Sequence, residues 1–444
     1  MKKQKQKKKQ RKNNQAYSSA EKLGKGDEAR LEVSNLKLDE KRTYFQTLLP
    51  NLLLNPLTVN KLLLFLFLLL LPTQYGKHFF FDFSYLSGIR VDYLAPTIYL
   101  TDLLAAVILI FNLKSVIKFF LNKKIVILLS LLLFNVLISQ NIFISVYRYI
   151  KILELLGIVA VFRNKGLSLK YLLSGLLIGG VFELFLSMVQ YINKHSLQGI
   201  FYFFGERILN LSLPGIAKAS LNGIEILRPY GTFSHPNSLA GFYLLIYFLV
   251  LTYKKFSDSI AKNSLLFVCG LLIFISFSKI AITTFLLLNF IYLWKSPLKK
   301  TCVFCFFSRI FILGVVALVF LQATTDQFTL QKRIYLMQNA LSIINQHLFF
   351  GVGMGNYLIN QQQFPQRFAD FLNQPVHNLY LLLISEVGIT IFAAVFFLFF
   401  AEFNKTLKKF PYVFGVILLT GLFDHYWLTL QQNFLLIAVI LGAL

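Results

Sequence analysis

PVHNLYLLLISEVG, residues 375 to 388, passes without a break from a polar patch into an apolar helix, and ITIFAAVFFLFF carries the apolar run on to residue 400. The whole run, 378 to 402, can cross about 30 Å of hydrocarbon. A second stretch, RPYGTFSHPN (228 to 237), stands at the same kind of junction, just ahead of the apolar run 236 to 253. Each stretch sets polar side chains where an extramembrane loop meets a membrane helix. Composition extends this to the whole chain. Of 444 residues, 56% are hydrophobic, 14% are charged and 48 are Phe, and the mean hydropathy is +0.64. A soluble domain could hardly carry that on its surface.

Apolar runs of spanning length lie at 57 to 73, 93 to 113, 124 to 140, 144 to 162, 171 to 192, 236 to 253, 264 to 278, 280 to 294, 302 to 322, 378 to 402, 410 to 426 and 428 to 444. The expected fold is an all-α integral membrane protein with about 12 transmembrane helices. The two runs at 264 to 294 are short and meet at Ser278 and Lys279. A formal charge of +25 invites a nucleic-acid reading, but the basic residues lie in a 56-residue leader and in short clusters between apolar runs. With the leader inside, every second connection is basic: Lys114, Lys118, Lys123 and Lys124; Arg163, Lys165 and Lys170; Lys254, Lys255 and Lys262; Lys295, Lys299 and Lys300; Lys405, Lys408 and Lys409. That is the positive-inside pattern.

The leader, 1 to 56, opens MKKQKQKKKQRKNNQ and reads as a disordered basic cytoplasmic tail, with too little apolar surface to order itself. It is either a topology anchor with affinity for anionic lipid or a dock for a specific partner. It is not a signal peptide, because no small-residue cleavage site follows LLLLPTQYGKHF. Residues 57 to 444 form the polytopic membrane domain, with both termini cytoplasmic. The same parity places 74 to 92, 193 to 235 and 323 to 377 outside. No nucleotide sugar is available there. A bond-forming enzyme must receive an activated donor through the membrane, and a prenyl pyrophosphate glycan is the obvious type.

The loop 323 to 377 has its own organisation. Leu330, Ile334, Met337, Leu341, Ile344 and Leu348 recur at helical spacing, with Lys332, Arg333, Gln338 and Asn345 off the stripe. This predicts an amphipathic helix along the outer membrane surface or capping a cavity. GVGMGNY follows, with Gly351, Gly353 and Gly355 alternating; no Gly-Lys-Ser/Thr follows, so it is not a phosphate-binding P-loop. It is either a tight turn that lets backbones approach closely or a direct contact with substrate. The only cysteines, Cys269, Cys302 and Cys305, fall in predicted helices. None is in an outer loop where oxidation would staple structure, and the CxxC of 302 and 305 lacks a second ligand pair. Neither a metal nor a cofactor is expected.

RPYGTFSHPNSLAGF, the Ser278–Lys279 pair, the loop helix running into GVGMGNY, and HNLYLLLISEVG together resemble the O-antigen ligase and polymerase family of polytopic glycosyltransferases, over about residues 220 to 395. FDHYWLTLQQ near the end adds to it. The resemblance implies that His377 is the base that activates an acceptor hydroxyl, a task suited to a near-neutral imidazole; the bland alternative is a helix cap. It implies that Arg228 holds the donor pyrophosphate, as a permanently charged bidentate guanidinium can. Lys279 stands where the family usually has a second arginine, and keeps the charge without the fork. Arg333, on the polar side of the loop helix, is a further candidate cation.

His235, Pro236 and Asn237 form either a capping turn, with Pro at the helix start, or a polar wall for substrate. Asn378 and Glu386 complete the candidates, Glu386 being a partner of a basic residue or a structural contact. Arg148, Lys151 and Glu154 share one helix face and are expected to pair locally, while Asp102, Glu183 and His425 could line a cavity. The implied activity is inverting glycan transfer from a polyprenyl (undecaprenyl) pyrophosphate to an acceptor hydroxyl on a glycan, lipid or protein, outside the bacterial cytoplasmic membrane. The partners are that donor, that acceptor and the bilayer, with no nucleic acid. A repeat-unit polymerase is the alternative within the family. A lipid-linked glycan transporter or flippase is the alternative outside it, and would favour related halves with a midplane site.

Overall fold

The computed structural model describes residues 56–163, 169–221, 223–253, 259–295, 327–365 and 373–443, together with Lys255, Phe256, Gly314, Leu318 and Arg367. The basic tail up to residue 55, the expected span at 302 to 322, and Cys302 and Cys305 lie outside the described residues. Residues from Leu63 onward belong to one unit, built mostly of helices. Tyr171–Asn193 and Leu379–Leu398 are long and apolar enough to cross a membrane, and Leu100–Phe111 with Leu113–Phe120 adds a third span if that pair, bent by 90°, is counted as one. Pro236–Thr252, Ile260–Ile275, Pro411–Gly421 and Gln431–Ala443 are shorter apolar helices.

Several expected spans are shorter as helices than as apolar runs, because polar turns cut them. The run expected at 93 to 113 becomes helical only at Leu100, after a 3-10 turn at Asp92–Leu94 and a strand at Thr97–Tyr99. The Asp102 carboxylate accepts from the Tyr99 N–H at 2.8 Å and fixes that start. The run at 410 to 426 stops at Gly421, and the next full helix begins at Gln431, so residues 422 to 425 form a turn. The 264 to 294 hairpin resolves into Ile260–Ile275 and Lys279–Lys295, joined through Phe277 at φ 52°. Gly76–His78, in the first loop expected outside, pairs antiparallel with Thr97–Tyr99 from the expected span that follows, and Lys218–Leu221 pairs with Ile224–Leu227 within the second.

The central core packs Pro236–Thr252 against Ile260–Ile275 and Pro411–Gly421, and Gln431–Ala443 against Ile142–Arg163. Leu239, Phe242, Tyr243, Leu244 and Leu245 are fully buried there. The loop helix is present as Gln327–Gln346, and the stripe read from the sequence is not the face that packs against protein. Leu330, Ile334, Met337 and Leu341 face outward, while Leu336, Ala340 and Ile343 are buried against Val352, Tyr357 and Leu382. A period of 3.6 reports that a face is apolar, not what it touches. Here a second seam of the same period carries the packing.

GVGMGNY docks into a break in the Leu379–Leu398 helix, where Gly388 has φ 74° and ψ 163°. Val352 N donates to Ser385 O at 3.0 Å and Gly353 N to Glu386 O at 2.9 Å, while Ile389 N and Thr390 N donate back to Leu348 O and Phe349 O. The Asn135 side chain joins both segments, donating to Phe350 O and Glu386 O and accepting from Met354 N. The loop is therefore the close-approach turn, and the free backbone groups of the broken helix are satisfied by it. A methyl at Gly388 would sit 2.4 Å from Phe349 O and one at Gly351 2.4 Å from Glu386 O. With a further ~1–3 kcal/mol for a non-glycine residue at positive φ with extended ψ, Gly388→Ala is expected to lower the melting temperature measured by size exclusion after heating. Gly270→Ala, whose methyl meets nothing within 4 Å, is expected to leave it unchanged.

Candidate functional site

The RPYGTFSHPN turn is held by side chains of the Leu169–Asn193 helix. The Gln190 carbonyl accepts from Tyr230 N and Gly231 N at 3.0 and 2.9 Å. Glu183 accepts from Thr232 N at 2.9 Å and from its hydroxyl. Gly231, at φ 57°, has no room for a methyl, which would lie 2.1 Å from the Glu183 carboxylate. Glu183 is thus a structural clamp and not a reactive group. The clamp ends the turn at His235, whose Nδ1 accepts from Asn237 N at 3.1 Å and caps the Pro236–Thr252 helix.

From this turn a chain of polar contacts runs across the molecule. Arg228 donates from Nε to Ser276 O at 3.0 Å and from Nη2 to Asn237 Oδ1 at 2.6 Å. Asn237 Nδ2 donates to Asp424 Oδ2 at 2.9 Å. The other Asp424 oxygen accepts from His425 N at 2.8 Å and lies 3.8 Å from His377 Nδ1, an ion-pair distance rather than a hydrogen bond. The His377 and His425 rings are 5.4 Å apart, and His425 Nδ1 meets Thr429 Oγ1 at 2.7 Å. Asn378 is the true cap of the Leu379–Leu398 helix, accepting from Tyr380 N and Leu381 N. Its Nδ2 donates to Leu422 O at 3.0 Å, which holds the 422 to 425 turn beside His377.

Four of the predicted residues, Arg228, His235, Asn237 and His377, therefore gather around Asp424. The Arg333 charge acts on both Arg228 and His235, and its Nε is buried without a hydrogen-bond partner. Lys279 stands apart, exposed at the first turn of Lys279–Lys295, three residues after the carbonyl that Arg228 grips. Glu386 accepts from the backbone N–H groups of Gly355 and Tyr357 and feels the Arg148 charge without an ion pair within 4 Å. The expected local pairing holds for Lys151 with Glu154 at 3.7 Å, and Asp102 joins them through Lys151; Arg148 turns away to Tyr93 O and Glu386.

Sequence reasoning gave Asp424 no role and left His425 as a cavity wall. The signal was FDHYWLTLQQ, a carboxylate and an imidazole in a polar break between two apolar runs, within reach of the outer-loop motifs.

Burial pulls the Arg228 guanidinium down to about 10, which leaves it charged at neutral pH. Two of its five N–H groups are committed, so the rest can meet an anion. Burial, with the Arg228 charge beside it, pulls the His235 imidazole down to about 3. His235 is thus neutral with its proton on Nε2, because Nδ1 accepts. His377, Asp424 and His425 are the one group among the described residues whose ligand atoms approach within 4.8 Å as a metal would require. Each Asp424 oxygen already accepts one N–H donor, and the Arg228 charge is one side chain away.

A cavity of ≈ 560 Å³ opens beside this group, with Tyr230, Ser234, His235, Tyr93 and Thr429 in its wall. Tyr93 also touches the His425 ring, with centroids 5.7 Å apart. Among the residues gathered around Asp424, His235 lines this space, which is large enough for a ligand.

The depressed His235 makes a pH dependence. The unfolded imidazole takes a proton below about 6.5, while the folded one resists until about 3. Folding stability therefore falls as pH drops through that window, by up to about 1.4 kcal/mol per unit from this residue. Melting temperature measured from pH 7 to pH 5 is expected to fall less steeply in His235→Asn, which keeps a capping acceptor and does not titrate there.

No curated protein and no solved structure matches the chain. Residues 264–398, less than half of it, match the family model described as O-antigen ligase. The matched segment carries Lys279, Arg333, His377, Asn378 and Glu386, while Arg228 and Asp424 flank it on either side. On residues 264–398, the match supports the O-antigen ligase family for this chain, which implies a ligase-like or polymerase-like membrane glycosyltransferase.

Proposed function

We propose that the protein transfers a glycan from a polyprenyl (undecaprenyl) pyrophosphate to an acceptor hydroxyl at the outer leaflet of a bacterial cytoplasmic membrane. The observation that carries this reading is the continuous contact from Arg228 through Asn237 and Asp424 toward His377. It sets a cation for the leaving group and a base for the nucleophile on one frame. The acceptor oxygen attacks the anomeric carbon, the bond from that carbon to the pyrophosphate oxygen breaks, and the electron pair leaves with the prenyl pyrophosphate. His377 takes the acceptor proton, and the Asp424 carboxylate beside Nδ1 stabilises the imidazolium that forms. Direct displacement inverts the anomeric centre.

Arg228, with Arg333 and Lys279 as further cations, neutralises the pyrophosphate so that it leaves without a general acid. No step calls for a metal. Arg228 carries the geometric weight, since Asn237 and Ser276 both fix its plane. Asn237 and His235 position rather than react.

The test is transfer by the purified full chain with a prenyl-pyrophosphate glycan, followed by product sizing. A single transferred block identifies a ligase, and a ladder identifies a polymerase. Vesicle flux of the lipid-linked glycan with no glycosidic product would overturn the enzyme reading. In the same assay His377→Ala is expected to lower turnover by about 10²- to 10⁴-fold, the usual worth of a general base. Arg228→Ala is expected to cost about 3 to 4 kcal/mol of barrier, seen in donor kinetics more than in acceptor kinetics; unchanged donor kinetics would remove Arg228 from the role.

A further inference from the structure

Two arginines face the ≈ 560 Å³ cavity from outside the chain of contacts just described. Arg148, from the Ile142–Arg163 helix, and Arg207, from the loop after the 3-10 turn Gly199–Phe204, both line it. Their charges both act on the Tyr93 hydroxyl, and the Tyr93 ring in turn touches His425. Each is positioned by one backbone carbonyl: Arg207 donates from Nη1 to Ser234 O at 2.9 Å and Arg148 from Nη2 to Tyr93 O at 3.4 Å. Among the described residues neither makes an ion pair within 4 Å, and most of their N–H groups are uncommitted.

The carboxylates of the cavity wall are already engaged. Asp92 pairs with Arg90 at 3.3 Å. Glu206 accepts from Leu197 N, Gln198 N and Gln190 Nε2 at 2.9, 2.6 and 2.9 Å. Glu386, on which the Arg148 charge acts, lines not this cavity but a smaller one of ≈ 110 Å³ whose wall Arg148 shares. The larger cavity is left with a surplus of positive charge. It also has six tyrosines in its wall, and tyrosine offers both a ring face and a hydroxyl to a polar ring lying against it.

We infer that this cavity binds the saccharide of the substrate, and that the saccharide is acidic, its carboxylate or phosphate group held by Arg148 and Arg207. The inference deepens the transferase reading, from which it takes only the reason a glycan enters. Guanidinium forks grip such oxyanions in a bidentate way, and the volume is that of a small-molecule site, ~300–1,000 Å³. Nearly all of the wall lies outside residues 264–398.

The experiment is calorimetric titration of the full chain in zwitterionic-lipid nanodiscs with trigalacturonate and, separately, with maltotriose. Trigalacturonate is expected to bind at least about tenfold more tightly, as charge-assisted contacts should give, and to weaken with added salt. Arg207→Ala is expected to erase the preference and Arg207→Lys to keep most of it. Equal binding of the two sugars, no binding of either, or a preference unchanged in Arg207→Ala would overturn the inference. Displacement by inorganic pyrophosphate more strongly than by trigalacturonate would also overturn it, by assigning the cations to the donor. If Arg207→Ala does not fold, the wild-type preference and the pyrophosphate competition decide. Glycan transfer assayed in the same preparation separates the two readings: product without a sugar preference rejects only the cavity assignment, and a preference without product rejects the transferase.

Discussion

A carboxylate shut away from water must be surrounded by donors, and Asp424, 5% exposed, is the group on which the rest of this site depends. Leaving such a charge unpaired would cost several kcal/mol. It draws the Asn237 side chain, the His425 backbone N–H and His377 to itself. These come from segments almost two hundred residues apart, so one buried charge fixes the relative places of the 228 to 237 turn, the start of the Leu379–Leu398 helix and the 422 to 425 turn. Asn237 then relays the constraint to Arg228, and Arg228 to the carbonyl that ends the Ile260–Ile275 helix.

Around that centre each element is held by polar contacts that suit an apolar setting. Gln190 and Glu183 clamp the first turn from the side. Asn378 closes its own helix and ties it to Leu422. The glycine loop fills the gap at Gly388, so the broken helix exposes no free backbone group where the loop meets it. In hydrocarbon an unsatisfied backbone group is costly, and a break is tolerated where protein lines it. The Gln327–Gln346 helix packs against this broken helix, and the Arg333 charge reaches Arg228 and His235.

Much of this was legible beforehand. The two polar stretches marked both junctions because they interrupt apolar runs, and helix starts at 236 and 379 follow from Pro236 and the Asn378 cap. His377, Arg228 and Asn237 stand out in the two motifs by residue type and order, and the glycines by their alternation. Asp424 was missed because a carboxylate inside an apparent span gives no sign of which distant side chains will surround it. The loop helix was legible from its apolar spacing, but the second seam of Leu336, Ala340 and Ile343 that carries its packing was not. The reach of Arg148 to Glu386 and the cavity wall was invisible for the same reason: both are long-range juxtapositions that only packing sets. The twelve-span count rests on apolar length, which polar turns inside runs shorten.

The central claim is that Asp424 and His377 act as one unit on the acceptor proton. A double-mutant cycle on transfer kinetics, with Asp424→Asn, His377→Ala and both together, tests it most directly. The double variant is expected to turn over about as slowly as His377→Ala alone, because the carboxylate has nothing to support once the base is gone. Losses that simply add would show that the two groups act independently, and would contradict the account.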